Sequence, residues 1–256
     1  MSFVITTYVP DGIVMAADSR MTALAQGTAP DGQALPDVNI VISDHCDKIF
    51  FLENQGIGIS AFGDPMLGGK PVSHAVRLFE EEANNPGDGI MDVVNNLMSF
   101  MSSRYPDANT SFHVAGYAME NGVSVPHVYH CQISQNIIRR LNLDERNGEI
   151  NYGTSWGGQG DIMARLINAR ALMPTNGPKK DDKVPMAELP NFPIRWDIMP
   201  LIDAIDFTEL AVDVTIQMQR FQMRPQDVGG AIDMLLMTPK GSDWLYKKQF
   251  TAHDRD

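Results

Sequence analysis

The opening stretch, MSFVITTYVPDGIVMAADSR, constrains the topology more than any other part of this chain. β-Branched and aromatic residues fill positions 3–9, Pro10-Asp11-Gly12 interrupts them, and an apolar run resumes at Ile13. Proline presets an early turn position and glycine tolerates positive φ, so the stretch reads as a β-hairpin. Antiparallel pairing then opposes residues whose numbers sum to about 20–22. Ser2 lies beside Asp18, Ser19 or Arg20, while Thr6 and Thr7 face Ile13, Val14, Met15 or Ala16. A hydroxyl needs a base within hydrogen-bond reach to act as a nucleophile. Ser2 can supply its own, because removal of Met1 frees an α-amine that titrates near ~8. The alternative is that Asp18 and Arg20 are a strand-end ion pair, worth little if exposed.

Composition narrows the function classes. With 256 residues and 43% hydrophobic content, the chain can bury a sizeable core. A net charge of −12 argues against nucleic-acid binding, which wants a basic patch. No apolar run reaches the roughly 18 residues of a membrane helix. The N-terminus lacks the basic stretch and apolar core of a signal peptide. Cys46 and Cys131 make neither a disulfide framework nor a zinc site, so a cytoplasmic protein is expected.

Farther along, residues 22–40 are rich in glycine, proline and small side chains and read as a long loop. KIFFLENQGIGISAFG gives two short strands around Asn54–Gly56. Helical periodicity predicts helices over about 66–83 and 89–103, separated by NNPGDG. Strands follow at FHVAGYAM, PHVYHCQIS and NIIRRLNL. SWGGQG reads as a glycine-rich turn into a helix at about 161–172. An irregular stretch over 173–206 precedes a helix at about 207–222 and a final strand, AIDMLLMT. Strands and helix pairs alternate, so two sheets with helices outside each would bury every apolar face. The expectation is an α/β layered sandwich in one domain, 1–256, with insertions at about 22–46 and 173–206. His127 and His130 lie three apart on a strand, point to opposite faces, and do not suit a shared metal. The sixteen methionines read as core and contact filling, and no metal or other cofactor is called for.

DGIVMAADSR closely resembles a segment of proteasome β-type subunits, in which an apolar strand leads into Asp-Ser-Arg. In the same order, CDKIFFLENQGIGISAFGD resembles the lysine-bearing strand and its glycine turn, and VAGY the start of the second half. WGGQGDIMARL resembles the entry to the third helix, and RPQDVGGAIDMLLMTPKG the double-glycine segment. On these residues the chain is identified as a member of the N-terminal-nucleophile hydrolases of the proteasome and HslV type. The resemblance implies a four-layer αββα sandwich of two antiparallel sheets flanked by helix pairs. It implies a peptidase that acts on peptide or unfolded protein, assembles with itself into rings, and can take an unfoldase partner.

Counting back from Asp18 as the family does places the nucleophile at Ser2, in place of the usual threonine; Thr6 and Thr7 fall too late. By the same resemblance, Lys48 keeps the α-amine neutral by placing a positive charge beside it, and Asp18 holds Lys48. Arg20 braces the loop behind Asp18. The family's oxyanion glycine falls on Phe62, with Gly63 immediately after it. Gln159 stands where the family has a supporting serine. Asp227 either reaches the α-amine or caps a turn before Gly229-Gly230. Two other readings stay open: a non-catalytic ring subunit, and transfer of the acyl group to an amine.

Overall fold

The structure is a computed structural model that describes residues 2–25, 33, 38–167, 172–174, 186–188 and 192–248. Two five-stranded antiparallel sheets organise it. The first has the order β12-β1-β2-β15-β16, over Gly153–Gly158, Phe3–Val9, Gly12–Ala17, Asp233–Thr238 and Gly241–Tyr246. The second has the order β11-β10-β9-β6-β5, over Ile137–Arg140, Val123–Gln132, Thr110–Glu120, Ile57–Gly63 and Ile49–Leu52. Short ribbons pair β3 (Met21–Ala25) with β4 (Val38–Ser43), β7 (Met66–Leu67) with β8 (Lys70–Pro71), and β13 (Leu172–Pro174) with β14 (Met186–Glu188). The helices are α1 (Val72–Glu82), α2 (Ile90–Arg104), α3 (Asp161–Ile167) and α4 (Leu201–Arg220). None of the described helices is long and apolar enough to cross a membrane.

Three apolar clusters show the layering. Val4, Met15, Ile49, Val128 and Leu235 meet between the sheets. Phe79, Leu97 and Phe112 belong to the layer between the second sheet and α1–α2. Phe3, Ile5, Val14, Ala211 and Val212 belong to the layer between the first sheet and α3–α4. The order is helix pair, sheet, sheet, helix pair: the expected αββα sandwich. Each fully buried Phe, Ile or Val contributes about 1.5–3 kcal/mol relative to exposure.

The hairpin forms as the turn chemistry dictates, with Val4 opposite Ala17 and Val9 opposite Gly12. Every residue of β1 is buried, because both of its faces are covered. Successive side chains alternate between the layers. Thr6 therefore points between the sheets, where its Oγ1 lies 3.2 Å from His113 Nδ1. Thr7 points to the helix side and accepts a 2.7 Å hydrogen bond from Thr208.

Several boundaries differ from the sequence reading. The 22–40 loop carries β3, and the β-branched run VNIVIS after it forms β4; residues 26–32 and 34–37 lie outside the described residues. The helix expected from residue 66 begins at Val72, since Gly68 and Gly69, both at positive φ, turn residues 66–71 into a ribbon first. SWGGQG lies mostly in strand β12 rather than a turn. The helix it leads into is described only to Ile167. Within 173–206, Pro200 starts α4 at Leu201, well ahead of the expected residue 207. Beyond the last expected strand, β16 adds an edge to the first sheet.

Candidate functional site

The site lies where β1 begins and β2 ends. Asp18 follows the last residue of β2 and is wholly buried. Its Oδ1 accepts from the Phe3 N–H at 2.9 Å and from Lys48 Nζ at 2.5 Å. Its Oδ2 accepts from the N–H groups of Gly229 at 3.0 Å and Arg20 at 3.1 Å. Four donors on two oxygens are what a buried carboxylate requires. The double-glycine segment belongs to this shell, since the Ser19 N–H also donates to the Gly229 carbonyl at 3.0 Å.

Lys48 sits just ahead of β5, is 5% exposed, and fixes its main chain by accepting the Ala61 N–H at 2.9 Å. Burial pushes its ammonium below the ordinary lysine range, and the Asp18 carboxylate pulls it back up. Lys48, Ser2, Phe62 and Gly63 all line one small cavity. The structure thus brings Ser2, Lys48 and Gly63 to one cavity and ties Asp18 to Lys48 behind it.

Ser2 is held by its main chain. Its carbonyl accepts the Gln159 N–H at 2.8 Å. Gly158 makes this approach possible: it has φ +82°, and a Cβ there would lie 1.8 Å from the Ser2 oxygen. Replacing Gly158 by Ala should cost about 2–4 kcal/mol through strain and clash, read as a lowered urea midpoint. An unchanged midpoint would show that Ser2 is not held by this contact.

The remaining expected residues form an outer ring. Gln159 Nε2 donates to Asp227 Oδ2 at 3.3 Å, and Asn39 Nδ2 donates to Asp227 Oδ1 at 3.2 Å. Asp227 is buried, which raises its carboxyl above the usual range. The Arg20 guanidinium clamps Asp44 through contacts of 2.6 and 2.8 Å and donates to the Gln226 carbonyl at 3.1 Å. It therefore joins the two loops behind Asp18.

Gly63 ends β6 at φ +99°, and a Cβ there would lie 2.2 Å from the Asn109 oxygen, so the position requires glycine. Phe62 turns its ring between the sheets, 5.0 Å from the His113 ring and 5.9 Å from that of His130. It also occupies the space a side chain at Gly157 would need.

Sequence reasoning missed Asn39, Asp44 and a second buried pair. Lys248 Nζ contacts Asp233, and it lies 3.0 Å from Asp47 Oδ1. Asp233 faces Ala17, next to Asp18, and Asp47 lines the cavity. The positive charge of Lys248 further lowers the Lys48 ammonium. The one available signal was an aspartate set inside the apolar run AIDMLLMT. His127 and His130 take separate partners: Glu120 and Tyr129 for the first, the Phe62 and His113 rings for the second. Among the described residues, no three His, Cys, Asp or Glu side chains gather to hold a metal ion.

The αββα sandwich thus carries a buried lysine–aspartate pair at a cavity that Ser2 also lines. Solved structures of Anbu proteins share the fold. The chain is similar to an Anbu mutant from Hyphomicrobium sp. strain MC1, with TM-score 0.59 and 14% identity, covering 100% of this chain and 89% of that one. It is also similar to Anbu (ancestral beta-subunit) from Yersinia bercovieri, with TM-score 0.56 and 12% identity, covering 97% and 88%. No protein-family model and no curated protein matches the chain. These neighbours correct the family read from the sequence: Anbu proteins are proteasome-like but distinct from the proteasome β-type and HslV subunits.

Proposed function

We propose that the chain is an N-terminal-nucleophile hydrolase acting on peptide bonds, with Ser2 as nucleophile once Met1 is removed. The observation that carries this reading is the buried Lys48–Asp18 pair opening onto the cavity that Ser2 lines. In the proposed cycle, Ser2 Oγ attacks the peptide carbonyl carbon and its proton passes to the freed α-amine. The C–N bond then breaks, the leaving amine takes that proton, and an ester to Ser2 remains. Water attacks the ester, returns a proton through the same amine, and releases the acid. Lys48 disfavours a second positive charge and so keeps the α-amine able to accept a proton. Gly63, at the cavity wall, is the proposed N–H donor to the oxyanion. Gln159 holds the main chain of Ser2, while Asp227 and Arg20 hold the ring around it. The ancestral β-subunit named for one neighbour supports assembly of this chain with copies of itself into a ring. Such a chamber would admit peptide or unfolded protein, with an unfoldase as the accessory partner.

Intact mass before and after incubation with a peptide β-lactone or epoxyketone tests the reading. The expected result is loss of one methionine and a single adduct on Ser2. Ser2→Ala should abolish adduct and turnover together, while Thr6→Ala and Thr7→Ala keep both. A chain that takes no adduct and cleaves no peptide would instead be a non-catalytic subunit. Turnover that survives in Ser2→Ala would place the nucleophile elsewhere.

A further inference from the structure

A cluster of basic groups stands beside the cavity. Lys70 is on β8, and His74 and Arg77 are on the first two turns of α1. Lys70 Nζ lies 3.3 Å from His74 Nε2, and an Arg77 terminal nitrogen lies 3.0 Å from His74 Nδ1. A neutral imidazole has one acceptor nitrogen, so it can satisfy only one of these two cations; a protonated one satisfies neither. Among the described residues, no carboxylate pairs with Lys70 or Arg77. That is unusual in a chain of net charge −12, where acidic partners are plentiful. The three side chains, with Pro71 and Ser73, line a depression. Pro71 and Ser73 also line the Ser2 cavity, so the two spaces share a wall.

The two spaces differ in chemistry. The cavity wall is largely apolar, with Met21, Ala61, Phe62 and Val72, and it carries the carboxylates Asp47 and Asp64. The Lys48 ammonium at that wall is already paired with Asp18, so a carboxylate entering there meets Asp47 and Asp64. One placed at the rim meets three cationic or donor groups. We propose that the Lys70–His74–Arg77 rim binds a carboxylate of the substrate while an apolar side chain beside it packs against the apolar mouth of the cavity. The substrate class is thus an acidic peptide with an apolar residue next to its acid. This rests on the reading of the Ser2 cavity as the active site. Arg77 can meet the carboxylate with two parallel N–H donors, and Lys70 supplies a compact charge from the other side.

Equilibrium binding tests the proposal without relying on turnover. The full chain carrying Ser2→Ala is titrated with rhodamine-labelled octapeptides that have a central leucine and an amidated C-terminus. One peptide carries Glu on each side of the leucine, a second carries Gln there, and a third carries Gln with a free C-terminal carboxylate. The Glu peptide should bind roughly tenfold tighter than the amidated Gln peptide, as expected for charge-assisted hydrogen bonds. Tighter binding of the third peptide instead would make the terminal carboxylate the recognised group. Either preference should vanish when Lys70→Gln and Arg77→Gln are added, and shrink as salt rises from 0.05 to 0.5 M. Both residues are exposed, so the melting temperature should hold. Equal affinity for all three peptides, or a preference that survives the rim substitutions, would overturn the proposal. Cleavage by the unmutated chain is scored separately. Carboxylate-dependent binding without cleavage would refute the hydrolase reading and leave the binding site standing.

Discussion

Asp18→Asn should destabilise the fold by about 3–5 kcal/mol at pH 7, whereas Lys48→Met should cost distinctly less. Both remove the same 2.5 Å contact, so the difference lies in what each leaves behind. After Lys48→Met, the Asp18 carboxylate still accepts from the N–H groups of Phe3, Arg20 and Gly229. Three main-chain donors can hold a buried anion. After Asp18→Asn, the Lys48 ammonium stays buried without its counter-charge, and donors aimed at two carboxylate oxygens meet an amide with one oxygen. Urea unfolding of the two variants and the parent checks the order; equal costs would show that the main-chain donors do not sustain Asp18.

The pH dependence adds a second reading of the same pair. Burial already lowers the Lys48 ammonium, and loss of Asp18 removes what pulls it back up. The unfolded chain keeps an ordinary lysine near ~10.4, so between the lowered folded value and that one it binds more protons than the folded variant. Stability of Asp18→Asn should therefore rise with pH across this window, narrowing its deficit between pH 7 and pH 9.5. Turnover should be lost in both variants at every pH if Lys48 and its partner set the state of the Ser2 amine.

The parts of the site legible in the sequence are those fixed by local turn chemistry and by register. Pro10-Asp11-Gly12 closes the hairpin, and the hairpin alone brings the start of β1 to Asp18. Lys48 reaches Asp18 from the other sheet, a contact set by sandwich packing that spacing cannot show. It was read through the family motifs instead. The same motifs misassigned the family: the solved neighbours are Anbu proteins, at 14% and 12% identity. β12 was hidden by its own function: Gly157 and Gly158 make it read as a turn, yet they are glycines because the Phe62 ring and the Ser2 carbonyl approach there. The 22–46 stretch hid Asn39 and Asp44, whose partners Asp227 and Arg20 are remote in sequence. Hydrogen bonds over such distances leave no periodic trace. Phe62 looked like a departure at the oxyanion position, but its ring lies between the sheets and Gly63 takes the left-handed conformation one residue later.

His113 should make the sandwich acid-labile in a way that separates stability from catalysis. It is 2% exposed, its Nδ1 lies 3.2 Å from Thr6 Oγ1, and its ring packs against Phe62 and His130. Burial, helped by His130, pushes its pKa down to about 3. The unfolded chain takes up a proton at this residue near ~6.5, which the folded chain refuses until far lower pH. From about 6.5 down to about 3 the unfolded state therefore binds more protons, and stability falls as pH falls, by roughly 1.4 kcal/mol per unit from this group. His130 is also lowered by burial and acts in the same direction. His113→Gln, which can keep a hydrogen bond to Thr6, should flatten the fall in urea stability between pH 6 and pH 4.5 by about that slope. Identical slopes in parent and variant would show that the imidazole takes up its proton without unfolding the layer. Turnover should follow a different curve: the α-amine base has an ordinary value near ~8, and the neighbouring Lys48 charge holds it below that. Activity should thus decline reversibly as pH falls below ~8, while the fold is intact. Only below about pH 6 should unfolding take over, and His113→Gln should shift that second loss alone.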